Sequence, residues 1–245
     1  MKKSLTIIVP AYNEEKNLED TINTINNALN NFIEDYETLI FNDCSKDKTG
    51  EIADWLAKKD KKIKVIHNKV NMGLGYNYIK GIELATKEFV MMIPGDDDIP
   101  EESIKKILKE MGNADIINNY FTNPFEVRSF HRVLISKGFV KLMNLLLGLN
   151  LKYYTGTVLH KNSLLKNMKI KNYNFSYQVE ILAKLLKSGH SFKEVGVKQT
   201  GKGTGSSHFY TFKNFKGILF SISSLLWVLK FKERNKYNKQ PIKIN

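Results

Sequence analysis

Three consecutive carboxylates, Asp96-Asp97-Asp98, stand directly after the apolar run Phe89-Val90-Met91-Met92-Ile93 and a Pro94-Gly95 break. Carboxylates this close repel one another and need a cation to be held together. Hard divalent ions such as Mg²⁺ or Mn²⁺ accept carboxylate oxygens and bridge diphosphates. The same residues also suit a solvated acidic turn capping a helix that begins near Glu101, because Asp and Glu favour helix N-termini. Taken alone, the cluster does not choose between metal site and cap. Gly73 and Gly75 would admit a close approach of backbone to a ligand, or simply form a turn before a helix. The five histidines, His67, His131, His160, His190 and His208, have neither zincin nor finger spacing, so no histidine-held zinc is expected. The sequon Asn174-Phe175-Ser176 is read as chance.

The elements that must position these groups alternate along the chain. Leu5 to Val9 reads as a buried strand stopped by Pro10, and a polar helix follows from Glu14 to Leu29. Tyr36 to Phe41 is a second strand ending at Asn42-Asp43, Ser45 to Lys58 a capped helix, and Lys64 to Ile66 a third strand. Tyr76 to Thr86 is helical, and Phe89 to Ile93 is a fourth strand that delivers the aspartates. Such alternation predicts a Rossmann-like α/β fold with a mostly parallel sheet flanked by helices, its ligands beyond the carboxyl ends of the strands. Beyond Leu134 the pattern changes to a Leu-rich amphipathic helix over Phe139 to Leu151 and another helix over Val179 to Lys187. A C-terminal amphipathic helix and a basic tail from Lys230, expected to be mobile, complete the chain.

Four segments occur in order: IIVPAYNEEKNL (7–18), NDCSKDKTGEIA (42–53), NMGLGYNYIKGIELATKEFVMMIPGDDDIP (71–100) and EILAKLLKSGHSFKEVGV (180–197). Together they resemble the GT-A glycosyltransferases of family 2 over roughly residues 4–207. The GLGYNYIKGIELAT version resembles the polyprenyl-phosphate hexose synthases of the dolichyl-phosphate-mannose-synthase-like group. The resemblance implies a nucleotide-sugar site in which Pro10, Ala11, Tyr12 and Glu14 form the first loop and Asp43 contacts the base. A carboxylate there can accept the imide or amino hydrogens of uracil or guanine. Gly73, Gly75 and Asp97 would adjoin the nucleotide sugar, and Asp96 and Asp98 would be the outer, metal-holding positions of a DxD motif, with Asp98 also catalytic. Arg132 with Ser136 matches the family's Arg-x-x-x-Ser element. Lys202 to Ser207 matches its Arg-x-x-Gly-x-Ser loop, which places Lys202 and Ser206 at the diphosphate. Lys in place of Arg keeps the charge but loses the bidentate fork.

Glu180 occupies the place of the acidic residue that faces the acceptor in the family. A sugar hydroxyl must lose a proton as it attacks, and Glu180 would then be a general base. A phosphate monoester has a second pKa of about 6 and is already largely dianionic, so it needs cations instead of a base. Arg128, Arg132 and Lys202 are the candidates. The segments IINNYFTNP and LKYYTGTVLH depart from the family at an arginine and at an acidic residue, and both departures bear on the acceptor. The leading expectation is inverting, metal-dependent transfer of a hexosyl group from a UDP- or GDP-sugar to a polyprenyl phosphate. The alternative acceptor is a hydroxyl of a glycolipid or surface polysaccharide.

The 245 residues carry a net charge of +13, which calls for an anionic partner: nucleic acid, anionic lipid or a phosphorylated substrate. No recognition-helix or RNA-module motif is present, and an acidic cluster repels nucleic-acid phosphates, so a non-catalytic nucleic-acid binder is set aside. The 13-residue stretch Gly217 to Leu229 is shorter than the roughly 20 residues of a spanning helix. With Lys137, Lys141, Lys216 and Lys230 at the flanks, it and the Phe139 to Leu151 helix fit an anionic membrane surface. A partner subunit or a second copy of the chain could cover them instead. One cysteine, Cys44, excludes an intramolecular disulfide, and the N-terminus lacks a signal-peptide pattern. The expectation is a catalytic domain over 1–210 and an attachment segment over 211–245, working peripherally at the cytoplasmic face of a membrane.

Overall fold

The structure is a computed structural model that describes residues 3–30, 32–170, 173, 176–202 and 212–245, with side chains from 217 onward in the last segment. In chain order the elements are β1 (Ser4–Ala11), α1 (Leu18–Leu29), β2 (Asp35–Asn42), α2 (Thr49–Lys59), β3 (Ile63–His67), α3 (Leu74–Leu84), β4 (Phe89–Met92) and α4 (Glu101–Lys109). There follow β5 (Ile116–Phe121), α5 (Pro124–Val127), α6 (Phe130–Leu147), β6 (Leu159–Lys161), α7 (Asn162–Lys166), α8 (Tyr177–Lys187), β7 (Ser191–Val197), α9 (Phe212–Trp227) and β8 (Ile242–Lys243). The strands form one sheet in the order β3-β2-β1-β4-β6-β5-β7-β8. Only β6 runs antiparallel, between β4 and β5, so the sheet is mostly parallel as the alternation predicts.

Alternate side chains of the buried strands feed two cores. Ile7 and Val9 pack with Leu18, Ile22, Ile25, Ile104 and Ile107 on one face. Ile8 packs with Tyr78, Ile82, Tyr177, Ile181 and Ile222 on the other. A strand of a parallel sheet covered by helices on both faces therefore reads as a continuous apolar run. Pro10 does not stop β1: the strand reaches Ala11, and the Pro10 carbonyl accepts the Gly95 N–H at 3.0 Å. Proline lacks a donor, but its acceptor still serves the ladder.

Two C-terminal expectations change. The helix expected over Phe139 to Leu151 begins nine residues earlier and ends at Leu147, where Gly148 takes the left-handed conformation (φ 60°) that closes a helix. Its inner side buries Val133, Met143 and Leu147, while Leu134, Ile135, Leu142 and Leu145 remain exposed. The basic tail is docked, not mobile. Ile242 and Lys243 pair with Ser191 and Phe192, and the Ile244 N–H donates to the Phe192 carbonyl at 2.8 Å. The open edge of β7 offers unpaired backbone groups, and the tail satisfies them. Among the described residues no helix is long and apolar enough to cross a membrane.

Candidate active site

The loops at the carboxyl ends of β1, β2 and β4 are laced together. The Asp43 N–H donates to the Ala11 carbonyl at 2.9 Å, and Gly95 packs against Ala11. The Glu14 N–H donates to Thr49 Oγ1 at 2.7 Å, the Glu15 N–H to Asp47 Oδ2 at 3.2 Å, and the Lys46 N–H to Asn13 Oδ1 at 2.8 Å. Pro10, Ala11, Tyr12, Glu14 and Asp43 thus share one rim with the aspartate turn. Tyr12 is exposed there.

The three aspartates do different work because the backbone turns over at the middle one. Asp97 has φ 51°, a left-handed conformation that Asp tolerates. Its carboxylate accepts Thr24 Oγ1 at 3.2 Å and pairs with Lys202 Nζ at 2.5 Å, while its N–H is held by Thr21 Oγ1 at 3.0 Å. Asp97 and Lys202 were expected at the nucleotide sugar and its diphosphate. Here they bind each other, because the turn directs the middle carboxylate toward α1. Asp96 and Asp98 instead line one cavity of about 320 Å³.

Asp98 is gripped by the segment after β7. Its Oδ1 accepts the Gly201 N–H at 2.8 Å, and its Oδ2 accepts Gln199 Nε2. Asp96 has no ion pair among the described residues. Burial, then the charges of Asp98 and Glu14, raise its pKa to about 6. Burial also raises that of Glu14, with Asp47 adding to it. The site therefore holds more negative charge than the protein neutralises, which fits a divalent cation. Among the described residues no group of three or more His, Cys, Asp or Glu gathers around one point. Two carboxylates with the remaining positions left to phosphate oxygens and water is how Mg²⁺ is commonly bound.

The rest of the cavity wall comes from distant elements. Arg128, Arg132 and Ser136 line it together with Phe121, Tyr153, Gly156, Ser176, Gln178 and Gln199. Arg128 donates to Tyr153 Oη at 3.1 Å and lies over the Phe121 ring at 5.2 Å. Both arginines and Ser136 thus line the same cavity as the two aspartates. A second cavity of about 580 Å³ shares Arg128, Ser136 and Tyr153 and adds Lys137, Lys141 and Lys152.

Other expected residues take different places. Asp43 is buried, and its carboxylate accepts the N–H groups of Met72 and Gly73 and the Asn68 amide, each at 2.8 Å. It anchors the β3–α3 loop. Gly73 has φ 82° with open space around it, whereas a Cβ on Gly75 would lie 2.4 Å from the Tyr173 carbonyl oxygen. Gly75 makes room for the chain's own backbone. Glu180 faces away from the cavity of the aspartates. It pairs with Lys184 Nζ at 2.5 Å, both buried, beside Ser224, Lys236 and Tyr237 of the C-terminal segment. The side chains of α8 that line the cavity are Tyr177 and Gln178, because the helix turns position 180 to another side. Ser206, the rest of the 203–207 loop and His208 lie outside the described residues.

Sequence reading passed over Asn123, Gln178 and Gln199. Gln199 lies two residues after β7 and three before Lys202, the one sequence signal that singles it out. The Asn123 and Gln178 positions carry no signal.

Comparisons with known proteins identify the family and the fold. The chain is 34% identical over 138 residues to the dolichol-phosphate mannosyltransferase of Pyrococcus furiosus, which covers 55% of this chain and 38% of that protein. A dolichyl-phosphate beta-glucosyltransferase of Trichomonas vaginalis is 34% identical over 55% of this chain and 45% of its own length, so the chain spans less than half of these relatives. Among solved structures, glucosyl-3-phosphoglycerate synthase from Mycobacterium tuberculosis, in complex with Mn²⁺ and UDP, superposes with a TM-score of 0.63 at 13% identity, covering 92% of this chain and 79% of that one. TarS of S. aureus in complex with UDP-GlcNAc gives 0.62 at 19% identity, covering 96% of this chain and 69% of that one. These likenesses show the GT-A fold. Residues 6–166, more than half of the chain and the part that carries the aspartate turn, match Glycosyl transferase family 2, the family to which this chain belongs.

Proposed function

We propose that the protein transfers a hexosyl group, with inversion, from a UDP- or GDP-sugar to a polyprenyl phosphate. The observation that carries this reading is a single cavity lined by both Asp96 and Asp98 and by Arg128, Arg132 and Ser136. The carboxylates suit the metal-bound diphosphate of the donor, and the arginines suit an anionic acceptor. Among the described residues Asp96 and Asp98 are the only carboxylates in that wall, and no histidine or lysine joins them. A hydroxyl acceptor would need a base there, whereas an ionised phosphate does not. The relatives named for dolichol phosphate point the same way.

In this scheme an acceptor phosphate oxygen, oriented by Arg128 and Arg132, attacks the anomeric carbon opposite the leaving group. The bond from that carbon to the diphosphate breaks, and the nucleoside diphosphate departs with the electron pair. Mg²⁺ or Mn²⁺ held by Asp96 and Asp98 supplies neutralisation of the charge that develops on the diphosphate.

A membrane surface as the place of work is part of the same reading. Phe220, Trp227 and Phe231 on α9 and the turn after it, and Leu134, Leu142 and Leu145 on α6, are exposed near Lys137, Lys141, Lys230 and Lys232. Such apolar residues rimmed by cations match the acyl boundary and headgroups of anionic lipid.

The test is calorimetric binding of UDP and GDP with and without Mn²⁺, followed by turnover with a short-chain polyprenyl phosphate. One nucleotide binding only with metal, and a lipid-linked hexosyl product, are expected. Binding of neither nucleotide would overturn the proposal.

A further inference from the structure

Gln199 enters the cavity wall two residues after β7, and a single asparagine fixes its backbone. The Gln199 N–H donates to Asn123 Oδ1 at 3.0 Å, and Asn123 Nδ2 donates back to the Gln199 carbonyl at 3.0 Å. Both side chains are more than nine-tenths buried. With the backbone held, chemistry fixes the amide. Its partner, Asp98 Oδ2, belongs to a carboxylate that only accepts, so the Gln199 NH₂ faces Asp98 and Oε1 is turned away from it.

Oε1 is buried and has no hydrogen-bond partner among the described residues, yet its side chain lines the cavity beside Asp98, Gly156 and Thr157. The amides of Asn118 and Asn119 on β5 also hold unpaired buried atoms, but neither lines this cavity. A buried acceptor without a donor is costly, and its persistence at a binding cavity calls for a ligand that supplies the donor.

The class of that ligand follows from what it must donate. Diphosphate oxygens and an ionised acceptor phosphate only accept, so neither can satisfy Oε1. Two hydroxyl-bearing groups flank a diphosphate bound at Asp98, the ribose and the hexosyl unit, and the hexosyl unit lies on the side where the acceptor must reach it. We infer that Gln199 is a specificity-determining residue whose Nε2 positions Asp98 while its Oε1 accepts a hydroxyl of the donor hexose. The inference rests on the nucleotide-sugar reading above and adds a named contact to it. A ribose hydroxyl and a metal-bound water are the other donors with the same chemistry, and the experiment separates the hexose from both.

The experiment compares Gln199→Met with the parent protein by calorimetry, each with Mn²⁺, using UDP and UDP-glucose or GDP and GDP-mannose, whichever pair the parent binds. The Met variant is close in volume, loses both amide bonds, and is first checked by thermal melting. The expected result is a loss of roughly tenfold in nucleotide-sugar affinity beyond any loss seen for the nucleoside diphosphate. Equal losses for the two ligands would assign Oε1 to a ribose hydroxyl or a metal-bound water and overturn the hexose contact.

A second arm needs no variant. Singly deoxygenated hexose nucleotides are titrated into the parent protein, and one of them is expected to bind roughly tenfold more weakly than the complete donor. In Gln199→Met that penalty is expected to vanish. If every deoxygenated donor binds the parent as tightly as the complete one, the inference falls. If the parent binds neither nucleotide, the function proposal fails first and takes this inference with it.

Discussion

Asp98 and Asp97 are adjacent residues of one type, but the left-handed turn gives them opposite surroundings. Asp98→Asn is expected to lower kcat by about a hundredfold or more, the scale seen when a group that stabilises transition-state charge is removed. Asp97→Asn, which loses only the Thr24 and Lys202 contacts, is expected to stay within about tenfold, and single-turnover kinetics on both variants checks the contrast. Glu180→Gln separates two acceptor chemistries. It leaves Lys184 buried without its carboxylate, so a stability loss of about 3 kcal/mol is expected with little change in kcat of the folded fraction. A thousandfold fall in kcat at unchanged melting temperature would restore the general-base role. Glu37, near the opposite ends of the strands, provides a pH test. Although burial works against its charge, bonds from Lys64, from the Thr86 backbone and side chain, and from Thr6 depress its pKa from 4.5 to about 2. A depressed carboxylate contributes stability that is fully present above its unfolded pKa and is lost as pH falls through 4.5 toward 2. Denaturant midpoints from pH 6 to pH 2.5 are expected to fall less steeply in Glu37→Gln than in the parent protein.

At the scale of elements, the two glycines before and in α3 have different reasons to be glycine. A Cβ on Gly75 would lie 2.4 Å from a backbone oxygen that belongs to another segment, so Gly75→Ala is expected to cost about 2 kcal/mol or more. Gly73→Ala meets open space and bears only the strain of φ 82°, about 1 kcal/mol. Chemical denaturation of the two variants checks the order. The strands β1, β2 and β4 were legible because each is buried on both faces and reads as an apolar run. β5 was not, since its IINNYF places two asparagines in the core, and β7, with its SFKEVGV, is half polar and lies toward the sheet edge. Strand β8 is two residues long, and only the open edge of β7 makes it a strand.

At the scale of the molecule, the exposed apolar residues of α6 and α9 predict surface binding. Sedimentation with vesicles containing anionic lipid is expected to bring down the parent protein, and Trp227→Asp with Phe231→Asp is expected to weaken it at least tenfold. Equal sedimentation of both, or none by the parent, would remove the membrane from the proposal. The net charge of +13 predicts that this binding weakens as salt is raised.

The sequence by itself determined the Rossmann-like half of the sheet and the place of the aspartate turn in the chain. Those features are written in apolar periodicity and in the local Pro94-Gly95 break before the carboxylates. Only the tertiary structure decided which carboxylates face the cavity, that Glu180 turns away to Lys184, and that Gln199 reaches Asp98 from 101 positions away. The reason is physical. The direction of a side chain at a strand end is set by one backbone dihedral, as at Asp97, and its partners arrive through the sheet from segments whose spacing in the chain carries no trace of the contact.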